Sequence, residues 1–115
     1  MTETIYKIVP ASLWHQAREK GVFDGSPVDI ADGFIHFSTA TQSVETAARH
    51  FSGQTDLLLV AIDGAALGEK LVFEPSRGGD LFPHLYAPLP LTAVLWNRPL
   101  PLGADGVHVF PEFAP

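Results

Sequence analysis

The six residues Leu57-Leu58-Leu59-Val60-Ala61-Ile62 constrain this chain more than any other segment. They form a continuous apolar run with no polar position to offer to solvent, and the turn signal Asp63-Gly64 closes it. A run of this length reads as a strand buried on both faces, at the centre of a sheet. With 115 residues there is room for one domain around that strand and for no second.

The segments on either side supply its partners. Ile5 to Val9 reads as a first strand stopped by Pro10. Ser12 is placed to cap a helix running to about Lys20, with Leu13, Trp14 and Ala17 on one face and Gly21 at its end. Val22 to Ala31 contains Gly25, Ser26 and Pro27 and reads as a loop. Phe34 to Phe37 is a second strand, entered at Gly33. Thr39 and Gln42 have capping-box spacing, and Val44, Ala47, Ala48 and Phe51 follow as one helical stripe that Gly53 closes.

Beyond the central strand, Ala65 to Leu67 reads as a short helical turn, Leu71 to Glu74 as a strand and Pro75 to Asp80 as a loop. Leu81 to Tyr86 is extended, and Pro88 and Pro90 impose a polyproline-like path. Thr92 to Trp96 is a further strand, and Val107 to Phe110 a last edge strand. The order β-α-β-α-β-β-β, helices early and strands late, predicts an α+β domain rather than a doubly wound sheet.

Composition narrows the function. The chain has no cysteine, which excludes disulfides, thiolate metal sites and thiol nucleophiles. Its net charge is −6, and its seven Lys and Arg residues are scattered between Lys7 and Arg98. That pattern argues against DNA, RNA or an anionic membrane surface as a partner and leaves room for a small anionic ligand. The amino terminus carries no signal-peptide pattern, so a cytoplasmic protein is expected. There is no Gly-x-x-x-x-Gly-Lys, His-Glu-x-x-His or Gly-x-Gly-x-x-Gly motif.

Chemistry then rests on individual side chains. Of the five histidines, His15 and His108 read as surface residues and His50 as a boundary residue. His36 and His84 lie in apolar surroundings, Phe-Ile-His-Phe-Ser and Phe-Pro-His-Leu-Tyr. An imidazole there is either a satisfied core group or a pocket wall. Ser38 and Tyr86, each two positions further on, share the strand face of their histidine. Glu74 ends a strand before a loop, a common place for a catalytic carboxylate. Arg77 and Arg98 are candidates for a phosphate contact.

The blocks Ile5-Tyr6-Lys7-Ile8, Asp32-Gly33-Phe34-Ile35-His36-Phe37-Ser38-Thr39, Asp56-Leu57-Leu58-Leu59, Phe73-Glu74 and Phe82-Pro83-His84-Leu85-Tyr86-Ala87-Pro88-Leu89 occur in order. Together they resemble the bacterial domain-of-unknown-function 952 family over nearly the whole chain. The resemblance implies an ADP-ribosyltransferase-like fold: a small, split or curved, mostly antiparallel sheet with two main helices. It implies NAD, or a related ribose-phosphate ligand, as substrate rather than as a fixed cofactor.

Under that resemblance the ligand contacts fall at Lys7, His36, Ser38, Thr39 and Tyr86, and the catalytic groups at Glu74, His36 and His84. Glu74 would stabilise an oxocarbenium-like transition state, and Tyr86 or Phe37 would stack on a planar ring. Lys7 departs from the histidine expected there; it donates hydrogen bonds but accepts none. Two other classes stand beside this reading. One is a non-catalytic nucleotide-binding module. The other is a metal-assisted hydrolase with His36, His84 and Asp80 or Glu74 as ligands.

Overall fold

The apolar run becomes the middle strand of a three-stranded antiparallel sheet, where both of its edges are hydrogen-bonded. The computed structural model describes residues 4–111, apart from the side chain of Arg77. Its first half runs β1 (Thr4–Pro10), α1 (Ala11–Lys20), β2 (Val22–Phe23), α2 (Pro27–Asp32), β3 (Ile35–His36) and α3 (Ala40–His50). The second half is β4 (Leu57–Asp63), β5 (Leu71–Pro75), β6 (Leu81–Leu85), β7 (Leu89–Pro90) and β8 (Val94–Pro99), with short 3₁₀ turns between them.

The sheet is split, and every strand pair is antiparallel. One half has the order β1-β4-β8, the other β3-β6-β5, and β2-β7 form a separate ribbon. An isolated bridge between Tyr6 and Ser38 ties the two three-stranded halves together. Its amides donate in both directions, Tyr6 N–H to Ser38 O at 2.8 Å and Ser38 N–H to Tyr6 O at 2.9 Å.

Two apolar clusters cover the faces of the β1-β4-β8 half. Ile5, Val9, Val60 and Ile62 pack with Trp14, Phe23, Ile35 and Leu85 on one side. Tyr6, Ile8, Leu57, Leu59 and Ala61 pack with Ala47 and Leu100 on the other. That double burial is why β4 carries no polar alternation. It also places Lys7, between Ile5 and Val9, on a face that is otherwise apolar.

Several expectations need correction. The segment read as a loop at 22–31 holds β2 and most of α2. Ser26 caps α2, Pro27 sits in its first turn, and Asp29 completes a capping box. The Gly-Ser-Pro cluster that reads as loop punctuation is a helix start. Helix α1 begins at Ala11 behind Pro10, without a side-chain cap from Ser12. Strand β3 is shorter than Phe34–Phe37, and β8 starts two residues after Thr92.

Val107 to Phe110 forms no strand; its region contributes a single bridge, Leu102 with His108. His108 is buried rather than superficial, with Nε2 2.9 Å from the Gln54 carbonyl. Helix α3 buries Ser43 and Ala47, while Val44 and Ala48 face outward. Small side chains at Ser43 and Ala47 let the helix approach β1, and this decides the buried face over hydrophobicity alone. Among the described residues no helix is long and apolar enough to cross a membrane.

Candidate functional site

A cleft of about 640 Å³ opens beside the Tyr6–Ser38 bridge that joins the two halves of the sheet. Its lining is mixed: Lys7, Asp32, His36, Ser38, Thr46 and His84 are among its polar members, and Ile8, Leu13, Phe37, Phe51 and Phe82 among its apolar ones. The volume lies within the range of small-molecule sites, roughly 300–1,000 Å³.

His36 and His84 enter the cleft as a direct cross-strand pair of β3 and β6. Their ring centroids are 5.5 Å apart in an edge-on arrangement. Phe34, two residues before His36 on the same face, lies 4.6 Å from the His36 ring, 4.2 Å from His84 and 5.2 Å from Tyr86. The alternation of β3 and β6 thus gathers four rings into one cluster.

Each histidine is held through Nδ1 by a carboxylate. For His36 it is Asp29 Oδ1 at 2.6 Å, with Asp32 Oδ2 a further 2.9 Å from Nε2. An ionised carboxylate only accepts, so both contacts are hydrogen bonds together only when the ring carries both protons. For His84 it is Glu74 Oε1 at 2.7 Å. Tyr86 Oη donates to the same oxygen at 2.7 Å. These bonds, Tyr86 first and His84 second, lower the Glu74 pKa below the usual carboxylate range. The same Glu74 contact raises the Tyr86 phenol pKa.

Asp29 is the residue that the sequence reading missed. It is 1% exposed and serves five donors. Lys7 Nζ lies 3.1 Å from Oδ1 and 2.9 Å from Oδ2. The Ser26 amide and hydroxyl donate to Oδ2 at 2.8 and 2.9 Å. The His36 amide donates to Oδ1 at 3.1 Å, beside the ring contact. Burial pushes the Asp29 pKa up, but the His36 bond, the Lys7 charge and the Ser26 bonds outweigh it and leave the group well below its ordinary range. Burial lowers the Lys7 pKa against the opposing pull of Asp29.

A signal for Asp29 was present in Ser26-Pro27-Val28-Asp29, a Ser-x-x-Asp box with proline at the first helical position. Gly25 protects the hub: its φ is +118°, and a Cβ there would lie 2.8 Å from Asp29 Cβ. Gly33, at φ +87°, ends α2 in a left-handed turn and sends the chain into β3.

The remaining candidates separate. Lys7, His36, Ser38 and His84 line the cleft. Ser38 Oγ is 3.1 Å from Thr46 Oγ1. Thr39 caps α3, accepting from the Gln42 amide at 3.4 Å, and is not a lining residue. Glu74 and Tyr86 stand behind His84; Tyr86 borders a smaller hollow of about 240 Å³ beside Phe34. Arg98 lies over the Trp96 ring at 5.1 Å, and the Arg77 side chain is outside the described residues. Among the described residues no group of three or more His, Asp or Glu side chains is placed to hold a metal ion.

The fold is a small domain of split antiparallel sheet and short helices. Residues 8–97 match the family described as protein of unknown function (DUF952), and the chain belongs to that family. The crystal structure of protein CC0527 from Caulobacter crescentus is similar to this chain, with 50% identity over 92% of this chain and 93% of that one and a TM-score of 0.89. The solution structure of CC0527 gives 51% identity over 90% of each chain and a TM-score of 0.82. Among curated proteins, none matches the chain.

Proposed function

We propose that the cleft binds a nucleotide-like ligand containing a ribose phosphate, NAD or a relative of it, and that the chain acts as an ADP-ribosyltransferase-like protein. The observation that carries this reading is the mixed lining of the cleft. Polar groups, among them Lys7, His36, Ser38 and His84, share it with aromatic and aliphatic side chains such as Leu13, Phe37 and Phe82. A ribose phosphate attached to a planar base presents both kinds of surface. The resemblance in the blocks around His36 and His84 points to the same ligand class.

One observation favours the non-catalytic module as the second reading. Lys7 is 7% exposed and its ammonium is committed to Asp29, so it is less available to grip a ligand than a free side chain would be. A single experiment separates the readings. The protein is titrated calorimetrically with NAD and with ADP-ribose, and nicotinamide release is followed by chromatography with water or added alcohols as acceptors. Saturable binding with release supports the transferase. Binding without release supports the module. No binding of either compound overturns the ligand class.

A further inference from the structure

We infer that His84 is the proton acceptor of the cleft, that Glu74 and Tyr86 are positioning residues acting through it, and that the substrate group it serves is an attacking hydroxyl or water. The inference rests on the proposed ligand reading and gives Glu74 a different task from direct contact with the sugar.

The His84 side chain is 6% exposed, yet His84 lines the cleft. Its Nδ1 is 2.7 Å from Glu74 Oε1, and Glu74 is not a lining residue. The ring therefore stands between the carboxylate and the cleft. Among the described residues, no hydrogen-bond partner meets Nε2. The atom is not sealed in protein either, since Trp14 Nε1 is the one buried side-chain nitrogen or oxygen without a partner among the described residues. An acceptor-only carboxylate at Nδ1 fixes the neutral ring as the Nδ1–H tautomer, which leaves the Nε2 lone pair aimed into the cleft.

The surroundings hold this geometry. Phe34 packs on the ring at 4.2 Å and His36 meets it edge-on at 5.5 Å. Tyr86 fixes the Glu74 oxygen that binds Nδ1. His36 has a carboxylate oxygen beside each of its ring nitrogens, so neither is left to a substrate proton. The division is that of a base and its orienting carboxylate.

In ribosyl transfer the step balances without a further reagent. The acceptor oxygen forms a bond to the ribose anomeric carbon, and the bond from that carbon to the nicotinamide nitrogen breaks. The bonding pair returns to the nicotinamide ring, which leaves neutral. The acceptor proton passes to His84 Nε2 and later to solvent. Glu74 stays ionised and balances the imidazolium.

Two measurements decide the inference. Long-range ¹H–¹⁵N spectra of the wild-type protein are expected to show the Nδ1–H tautomer in the neutral His84 ring. Glu74→Ala should shift it toward Nε2–H. A wild-type Nε2–H tautomer overturns the inference. With NAD as substrate, His84→Asn is expected to lower kcat by about 10²–10⁴-fold while NAD still binds. An unchanged kcat in that variant overturns the inference and leaves the NAD reading intact. Failure of the wild-type protein to bind NAD overturns the NAD reading alone, and the tautomer then decides the role of His84.

Discussion

His36 and His84 face each other in one register pair, yet their surroundings differ in kind. His36 has a carboxylate beside each nitrogen, and its partner Asp29 is buried and saturated by Lys7, Ser26 and the His36 amide. His84 lines the cleft and has one carboxylate, itself partly exposed, with no hydrogen-bond partner at its second nitrogen among the described residues. A fully satisfied network holds its members in place, whereas one with an unfilled position can take up a ligand or a proton. On the proposed reading, the first cluster builds the wall and the second offers the reactive atom.

The largest test of this contrast is Asp29→Ala. It leaves the Lys7 ammonium buried without its partner and removes the Asp29 half of the α2 capping box. A loss of about 3–5 kcal/mol in urea unfolding is expected, since breaking a buried pair strands a charge. Glu74→Ala should change stability far less, because Glu74 is partly solvated. Equal losses would erase the distinction between the two clusters.

Gly25→Ala comes next. The new Cβ would press on Asp29 Cβ at 2.8 Å from a left-handed φ of +118°. A loss of about 1–3 kcal/mol is expected in thermal or urea unfolding. Imidazole resonances of His36 should move more than those of His84.

Acid unfolding gives the third test. The folded-state pKa of Asp29 is depressed, so the unfolded chain binds the proton more readily. Its stabilising contribution is fully present above the ordinary carboxylate pKa, about 3.9, and declines as pH falls from there through the lower folded-state value. Asp29→Asn should flatten that part of the stability curve. Smallest is Tyr86→Phe. It removes the main cause of the low Glu74 pKa, so the Glu74 carboxyl should titrate closer to its usual range by ¹³C NMR, with little change in unfolding.

Much of the scaffold was legible because single segments carry it. The Leu57–Ile62 run specifies a strand buried on both faces, and Thr39 with Gln42 specifies the start of α3. Alternation correctly put His36 and His84 on strand faces, and the antiparallel register brings them together. What escaped depends on distant partners. A carboxylate at Asp29 reads as solvated until Lys7 and His36, far apart in sequence, converge on it. Val44 reads as core by hydropathy but loses that place to Ser43, whose smaller side chain permits close packing on β1. Glu74 was readable as a candidate at a strand end, but its contact with His84 is set by the β5–β6 register.

The most direct test of the account is an NMR chemical-shift map of the wild-type protein titrated with ADP-ribose. The account predicts saturable shifts concentrated at Lys7, His36, Ser38 and His84, with the His84 Nε2 resonance among the largest. Shifts confined to surfaces away from the cleft, or no shifts at all, would contradict it.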